Sequence, residues 1–167
     1  VTDPDTIAHQ YPEGGGSFLD GHQHALVIRV YYEDTDAEGV VYYANYLRYA
    51  ERARTALLRW GGWENARLAA GDYPGMEKGV SFVMRHLSMD YRRAAMLDDL
   101  LIMRSRVLAI GGATMELQQT LSRGNDVLVE ATARLGCIAA ETLRPARIPQ
   151  ALRDYMQGFV SDNDERK

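Results

Sequence analysis

The spacing of apolar and polar positions predicts most of the chain's elements. Over residues 24–33, the runs Ala25-Leu26-Val27-Ile28 and Val30-Tyr31-Tyr32 predict a strand. A long helix is predicted from about residues 41–45 to Trp60. Tyr46, Ala50, Ala53 and Leu57 recur at helical spacing, Arg48, Arg52, Thr55 and Arg59 fall on the opposite side, and Gly61-Gly62 ends the run. Leu47, Arg54 and Leu58 sit on the shoulder of the apolar stripe. Arg54 is then a charge at an apolar border, and Glu51 three residues earlier is placed to pair with it. That structural pair is preferred to Glu51 as a second catalytic acid.

Residues 63–78 read as a short helix and a loop. Residues 79–91 resume a strand, with Val80, Phe82, Met84 and His86 alternating against Ser81, Val83 and Arg85. Residues 100–109 are the next strand and Gly111-Gly112 the next turn. Met115, Leu117 and Leu121 then alternate with Thr114, Glu116, Gln118 and Thr120. Gly124-Asn125-Asp126 signals a hairpin. Val127, Val129, Ala131, Ala133, Leu135 and Cys137 follow on one strand face, and a short helix ends the pattern over residues 150–157. One strand, one long helix and four further strands in a meander predict an α+β fold, in which a five-stranded antiparallel sheet lays its apolar face on the helix.

Residues 1–22, with Pro4, Pro12 and Gly14-Gly15-Gly16, read as a flexible leader. Residues 23–158 read as one domain and residues 159–167 as a mobile tail. Val1 in place of methionine reads as a processed or trimmed chain.

Composition narrows the function classes. With 167 residues, 46% hydrophobic and 25% charged, the chain is long enough for a single well-filled core. A net charge of −4 with scattered arginines argues against nucleic acid. No apolar run is long enough to span a membrane, and residues 1–23 lack the basic start and apolar centre of a signal peptide, so the expected location is the cytoplasm. Cys137 is the only cysteine; it is read as an inert buried thiol and fits a reducing compartment. His22 and His24 share one strand face but have no third ligand at useful spacing, so they are read as surface histidines at a strand entrance and no metal is expected. His86 is weighed as a base and set aside on its polar surroundings.

The stretch from Asp34 to Tyr49 demands a reason beyond folding. Asp34 and Asp36 follow an apolar run, Gly39 allows a sharp turn, and a helix begins a few residues later. That arrangement sets a carboxylate beside the unpaired N–H groups and partial positive charge of a helix N-terminus, which suits acyl transfer to water. Asp34 is preferred as a turn or capping residue.

Asp34-Thr-Asp36-Ala-x-Gly39-Val40-Val41-Tyr42-Tyr43-Ala44-Asn45-Tyr46, followed by Glu51-Arg52-Ala53-Arg54, resembles the hotdog-fold acyl-CoA thioesterases of the 4-hydroxybenzoyl-CoA thioesterase type. The branch most similar is that of the Tol-Pal-associated thioesterases, and the likeness runs from about Ala25 to Ala151. The resemblance implies a hotdog fold, the sheet wrapped around the helix, and a homodimer or homotetramer. It implies an acyl-CoA substrate and no cofactor. Asp36 is implied as general base or nucleophile and the Tyr43 backbone N–H as oxyanion donor. The related branch commonly carries histidine at position 43, whereas this chain carries tyrosine; that leaves the N–H role intact and removes a side-chain acid or base. Gly39, Val40, Tyr42, Phe82 and Val83 are expected to border the substrate, and Arg144 and Arg147 to meet the coenzyme A phosphates. Two other readings stand beside hydrolysis: a non-catalytic acyl-thioester-binding scaffold, and a hydroxyacyl-thioester dehydratase, which would need a histidine that the motif lacks.

Overall fold

The structure is a computed structural model and describes residues 3–160. In chain order it contains α1 (Pro4–Gln10), β1 (Ser17–Asp20), β2 (Gln23–Arg29), a short 3-10 turn (Tyr32–Asp34), α2 (Asn45–Trp60), α3 (Asn65–Ala70), β3 (Val80–Tyr91), β4 (Leu100–Ile110), β5 (Thr114–Arg123), β6 (Asp126–Ala139) and α4 (Gln150–Gln157). The strands form one six-stranded antiparallel sheet in the order β1-β2-β4-β5-β6-β3.

The sheet packs against α2 because that helix carries one continuous apolar stripe. Tyr46, Tyr49, Ala50, Ala53 and Leu57 are all buried, and the first four pack with Leu26, Ile28, Leu101, Met103, Leu121 and Val129 from the sheet. Ala50 and Ala53 leave room for the helix to lie close to the strands. The helix stops where the sequence predicts, with the Gly61 N–H donating to the Leu58 carbonyl at 3.1 Å and Gly62 at φ +80. At that end α4 packs across it, and the Tyr155 hydroxyl donates to the Leu57 carbonyl at 2.6 Å.

Several expectations are corrected. The sheet has six strands because the segment expected to be a flexible leader contributes β1, paired from Ser17↔Leu26 to Asp20↔Gln23. The same segment forms α1, opened by Pro4 and by the Asp3 carboxylate accepting the Thr6 N–H at 3.1 Å. Ile7 of α1 is 1% exposed and packs with Ala25, Val27 and Ile102 on the sheet face turned away from α2. At the other terminus, Phe159 is buried and Val160 bridges to Val107, so these two residues join the fold. Residues 161–167, the rest of the expected tail, lie outside the described residues.

The meander holds only for β4, β5 and β6. The strand after the helix, β3, pairs with β6, from Val80↔Ala139 to Tyr91↔Val129, and forms the far edge of the sheet. The chain enters α2 from one side of the sheet, crosses the concave face with the helix, and emerges on the other. The ladder of β3 shifts register between Met84 and His86, which breaks the strict alternation expected there. The strand predicted over residues 24–33 stops at Arg29. Beyond it Asp34 closes the 3-10 turn by accepting the Tyr31 N–H at 2.9 Å. His24 is fully buried on the face of β2 toward the helix, edge-on to the Trp60 ring at 5.8 Å, and so is not a surface histidine.

Candidate active site

The loop between the 3-10 turn and α2 is drawn together by backbone bonds. Thr35 and Val41 form an antiparallel bridge, the Asp36 N–H donates to the Val40 carbonyl at 2.9 Å, and the Gly39 N–H donates to the Asp36 carbonyl at 3.0 Å. Gly39 has φ +76, and a Cβ there would meet nothing, so the glycine serves the turn's conformation alone. At the centre of the turn the Asp36 carboxylate accepts the Glu38 N–H through Oδ1 at 3.0 Å. That bond fixes its orientation and leaves Oδ2 with no hydrogen bond among the described residues. Asp36 is half-buried, and its charge reaches the hydroxyl of buried Tyr46. Burial is the main cause that raises the Tyr46 pKa; the Ala95 N–H, donating to the hydroxyl at 2.9 Å, opposes the rise, and the charges of Asp99 and Asp36 add to it.

The start of α2 is set by the same loop. The Asp34 carbonyl accepts the Tyr42 N–H at 2.9 Å and the buried Asn45 Nδ2 at 2.8 Å, which binds the chain just before Asp36 to the first residue of the helix. The Tyr42 carbonyl accepts the Asn45 N–H at 2.8 Å. In a trans peptide the N–H points opposite to the carbonyl, so the Tyr43 N–H is directed away from the helix. Among the described residues that N–H has no partner. One carboxylate and one free donor thus border the same helix end, the requirement for attack on a carbonyl whose oxygen gains charge. Asn45 and Tyr46 are the contributors that sequence reading missed; a buried polar residue at a helix start is a signal only once its acceptor, eleven residues earlier, is known.

The residues expected to bind substrate are divided between two places. Gly39, Val40, Tyr42 and Tyr43 gather around Asp36, with Val40 bridged to Met96 and the Tyr91 hydroxyl donating to the Tyr43 carbonyl at 3.3 Å. Phe82, Val83, Arg144 and Arg147 lie toward the opposite end of β3, where the Ala139 N–H donates to the Arg144 carbonyl at 2.8 Å and Ala139 faces Val80. Phe82 and Tyr91, which stand at the two groups, lie nine residues apart on β3, about 30 Å along the strand. Phe82 lines a cavity of about 410 Å³ between the second half of α2 and the sheet, together with Leu57, Leu58, Met115, Leu135 and Met156. Val40, Tyr42 and Val83 do not line it. The expected Glu51–Arg54 pair is absent: Glu51 accepts the Thr55 hydroxyl at 2.8 Å and Arg54 donates to Gln119 instead.

Cys137 is buried, and burial pushes its thiol up to about 11, which suits an inert residue. Among the described residues no group of three or more His, Cys, Asp or Glu side chains could hold a metal ion, and no helix is long and apolar enough to cross a membrane.

Residues 30–155 match the family model of the thioesterase-like superfamily. The chain is 40% identical over 126 residues to the acyl-CoA thioesterase YbgC of Haemophilus influenzae, covering 75% of this chain and 88% of that protein. It is 34% identical, again over 126 residues, to the acyl-CoA thioester hydrolase YbgC of Escherichia coli, covering 75% and 89%. Among solved structures, a probable thioesterase of Bartonella henselae superposes with a TM-score of 0.71 at 37% identity, covering 76% of this chain and 99% of that one.

Proposed function

This chain belongs to the thioesterase-like superfamily and has its hotdog fold, and we propose that it is an acyl-CoA thioester hydrolase working through Asp36 and the Tyr43 N–H. The observation that carries the reading is the free Tyr43 N–H, directed away from α2 on a loop where the Asp34 carbonyl, two residues before Asp36, accepts both the Tyr42 N–H and Asn45 Nδ2. In this mechanism Asp36 either takes a proton from water as that water attacks the thioester carbon, or attacks the carbon itself to give an anhydride that water then opens. In both routes the carbonyl oxygen becomes an oxyanion accepting the Tyr43 N–H, the carbon–sulfur bond breaks, and coenzyme A leaves as thiolate. An oxyanion donor of this kind contributes about 3 to 4 kcal/mol. Within the superfamily the opening motif aligns the chain with the 4-hydroxybenzoyl-CoA type and its Tol-Pal-associated branch.

The separation of the two groups of substrate residues supports a two-fold assembly. β3 is an edge strand of twelve residues, with Val83, Met84 and Tyr91 between 37% and 46% exposed along it. Pairing β3 antiparallel with its own copy sets the Val80 end of one strand beside the Tyr91 end of the other. The cavity lined by Phe82, with Val83, Arg144 and Arg147 at the same end of β3, then comes alongside Asp36, Gly39, Val40, Tyr42 and Tyr43 of the other protomer. Acyl group, thioester and coenzyme A phosphates each meet suitable chemistry in such a dimer. The unpaired thiol of Cys137 fits a reducing compartment, and the reading includes a cytoplasmic location.

The test is thiol release from short, medium, long and aromatic acyl-CoA esters by wild-type protein and Asp36→Asn. The amide still accepts the Glu38 N–H, so the fold is retained. A fall of about a hundredfold or more supports the assignment; full activity in the variant moves the chemistry elsewhere, and silence toward every ester sinks the coenzyme A reading.

A further inference from the structure

Arg54 is a half-buried cation without a carboxylate. Its Nη1 donates to Gln119 Oε1 at 2.7 Å, and among the described residues it makes no other hydrogen bond and no ion pair. Gln119 cannot yield: it is 1% exposed, and its Nε2 donates to the Ala50 carbonyl at 2.9 Å and to Ser105 Oγ at 3.0 Å. The guanidinium is therefore held in place by a neutral amide that is itself fully engaged. Glu51, one turn earlier, stands near enough to favour the charge on Arg54, yet its carboxylate bonds Thr55. Burial is the first influence on the group and lowers its pKa.

A guanidinium carries five N–H donors, and here one is used. A structural arginine at an apolar border would take a bidentate carboxylate, which offsets the cost of removing the charge from water. Arg54 instead lines the cavity of about 410 Å³, whose walls are largely Leu57, Leu58, Phe82, Met115 and Met156. Among the residues lining the cavity, Arg54 is the one cation.

We propose that Arg54 reads the far end of the acyl group, so that the cavity takes acyl chains ending in a hydrogen-bond-accepting oxygen in preference to plain hydrocarbon chains. The inference rests on the acyl-CoA hydrolase reading given above. A methyl terminus would strip water from the guanidinium and return nothing, and a site with buried polar groups discriminates strongly against a ligand that leaves them unpaired. Two termini supply the oxygen. An ω-hydroxyl accepts from Arg54 and can donate to Glu51 or Thr55; an ω-carboxylate gains charge-assisted bonds to Arg54 while meeting the charge of Glu51.

The experiment compares hexanoyl-CoA with its ω-hydroxy and ω-carboxy counterparts, as kcat/KM, in the wild-type chain and in Arg54→Met. The expected result is a preference of about tenfold or more for at least one oxygen-bearing ester in the wild type, with the ratio of kcat/KM between that ester and hexanoyl-CoA falling to about one in Arg54→Met. Equal kcat/KM for all three esters in the wild type overturns the inference and leaves the hydrolase reading intact. Hydrolysis of none of them, nor of any other acyl-CoA ester, overturns both. Should Arg54→Met fail to fold, inhibition of wild-type turnover by hexanoate against adipate and 6-hydroxyhexanoate decides the same question, since equal inhibition by all three removes the proposed recognition.

Discussion

The side-chain amide of Asn45 donates to the backbone carbonyl of Asp34 at 2.8 Å, so the helix start and the strand-side leg of the Asp36 loop are tied by one buried bond. Asn45→Ala removes it while the Tyr42 N–H still reaches the same carbonyl. The stability loss is therefore modest, about 1 kcal/mol. Turnover should suffer more, with kcat falling about tenfold or more and KM little changed, because small displacements of reacting groups are costly in rate. Steady-state kinetics beside a urea melt checks the split; equal losses in kcat and stability would reduce Asn45 to a structural residue.

A composite site in a two-fold dimer predicts complementation between inactive chains. Asp36→Asn removes the proposed carboxylate, and Arg144→Ala with Arg147→Ala removes the proposed phosphate contacts at the other end of β3. Each variant alone should turn over poorly. When the two are unfolded together and refolded, heterodimers regain one site with both parts, so thiol release should rise well above either parent. No gain on mixing would place both groups on one chain's site or on none.

Burial holds the His24 imidazole neutral, its pKa lowered to about 4, and among the described residues neither ring nitrogen has a hydrogen-bond partner. The unfolded chain protonates this residue near 6.5, the folded chain only near 4. Above that window the group contributes nothing to pH dependence. As pH falls through it, the unfolded state binds more protons and stability drops, by up to about 3 kcal/mol in all. His24→Leu should flatten this part of the curve of urea midpoint against pH. Parallel curves for the two proteins would assign the acid lability to other groups.

Gly61 has an ordinary backbone conformation, but a Cβ there would stand 2.4 Å from the Tyr155 ring. Gly61→Ala should therefore destabilise the chain by about 1 to 3 kcal/mol through overpacking. Because the clash lies on one side chain, adding Tyr155→Leu should cost less in the Gly61→Ala background than in the wild type. Thermal melts of the four proteins measure the coupling; strict additivity would locate the strain elsewhere.

Cys137, with its pKa pushed up to about 11 by burial, should resist a thiol reagent at mildly alkaline pH in the folded chain. It should react once per chain in denaturant. Rapid labelling of the native protein would contradict the buried placement.

The helix α2 was legible because its apolar stripe repeats without interruption and two glycines mark its end. The Asp36 loop was legible as a candidate site, since two carboxylates, a glycine and a helix start have few other reasons to fall so close together. The partner of β3 was not, because alternation gives the face of a residue and carries no information on which strand lies alongside. The lining of the cavity was not legible for the same reason: it is assembled from α2, α3, β3, β5, β6 and α4, elements brought together only by folding. The N-terminal segment carried a signal that went unused. The run Ala25-Leu26-Val27-Ile28 does not alternate, and a strand apolar on both faces must be covered on both. α2 covers one; the prolines and glycines of the preceding segment concealed that α1 covers the other.

That covering helix also restricts how copies of the protein can stack. With Ile7 seated on Ala25, Val27 and Ile102, the convex side of the sheet at β2 and β4 is already occupied by the chain's own first turn of helix. Back-to-back contact between sheets of neighbouring molecules is closed off over that half. On that side, contact between copies is left to the polar half, where Arg104, Arg106, Gln118 and Glu130 stand. Removing residues 1–16 would reopen the covered half and present a new apolar surface, so a shortened chain is expected to associate in ways the full one does not.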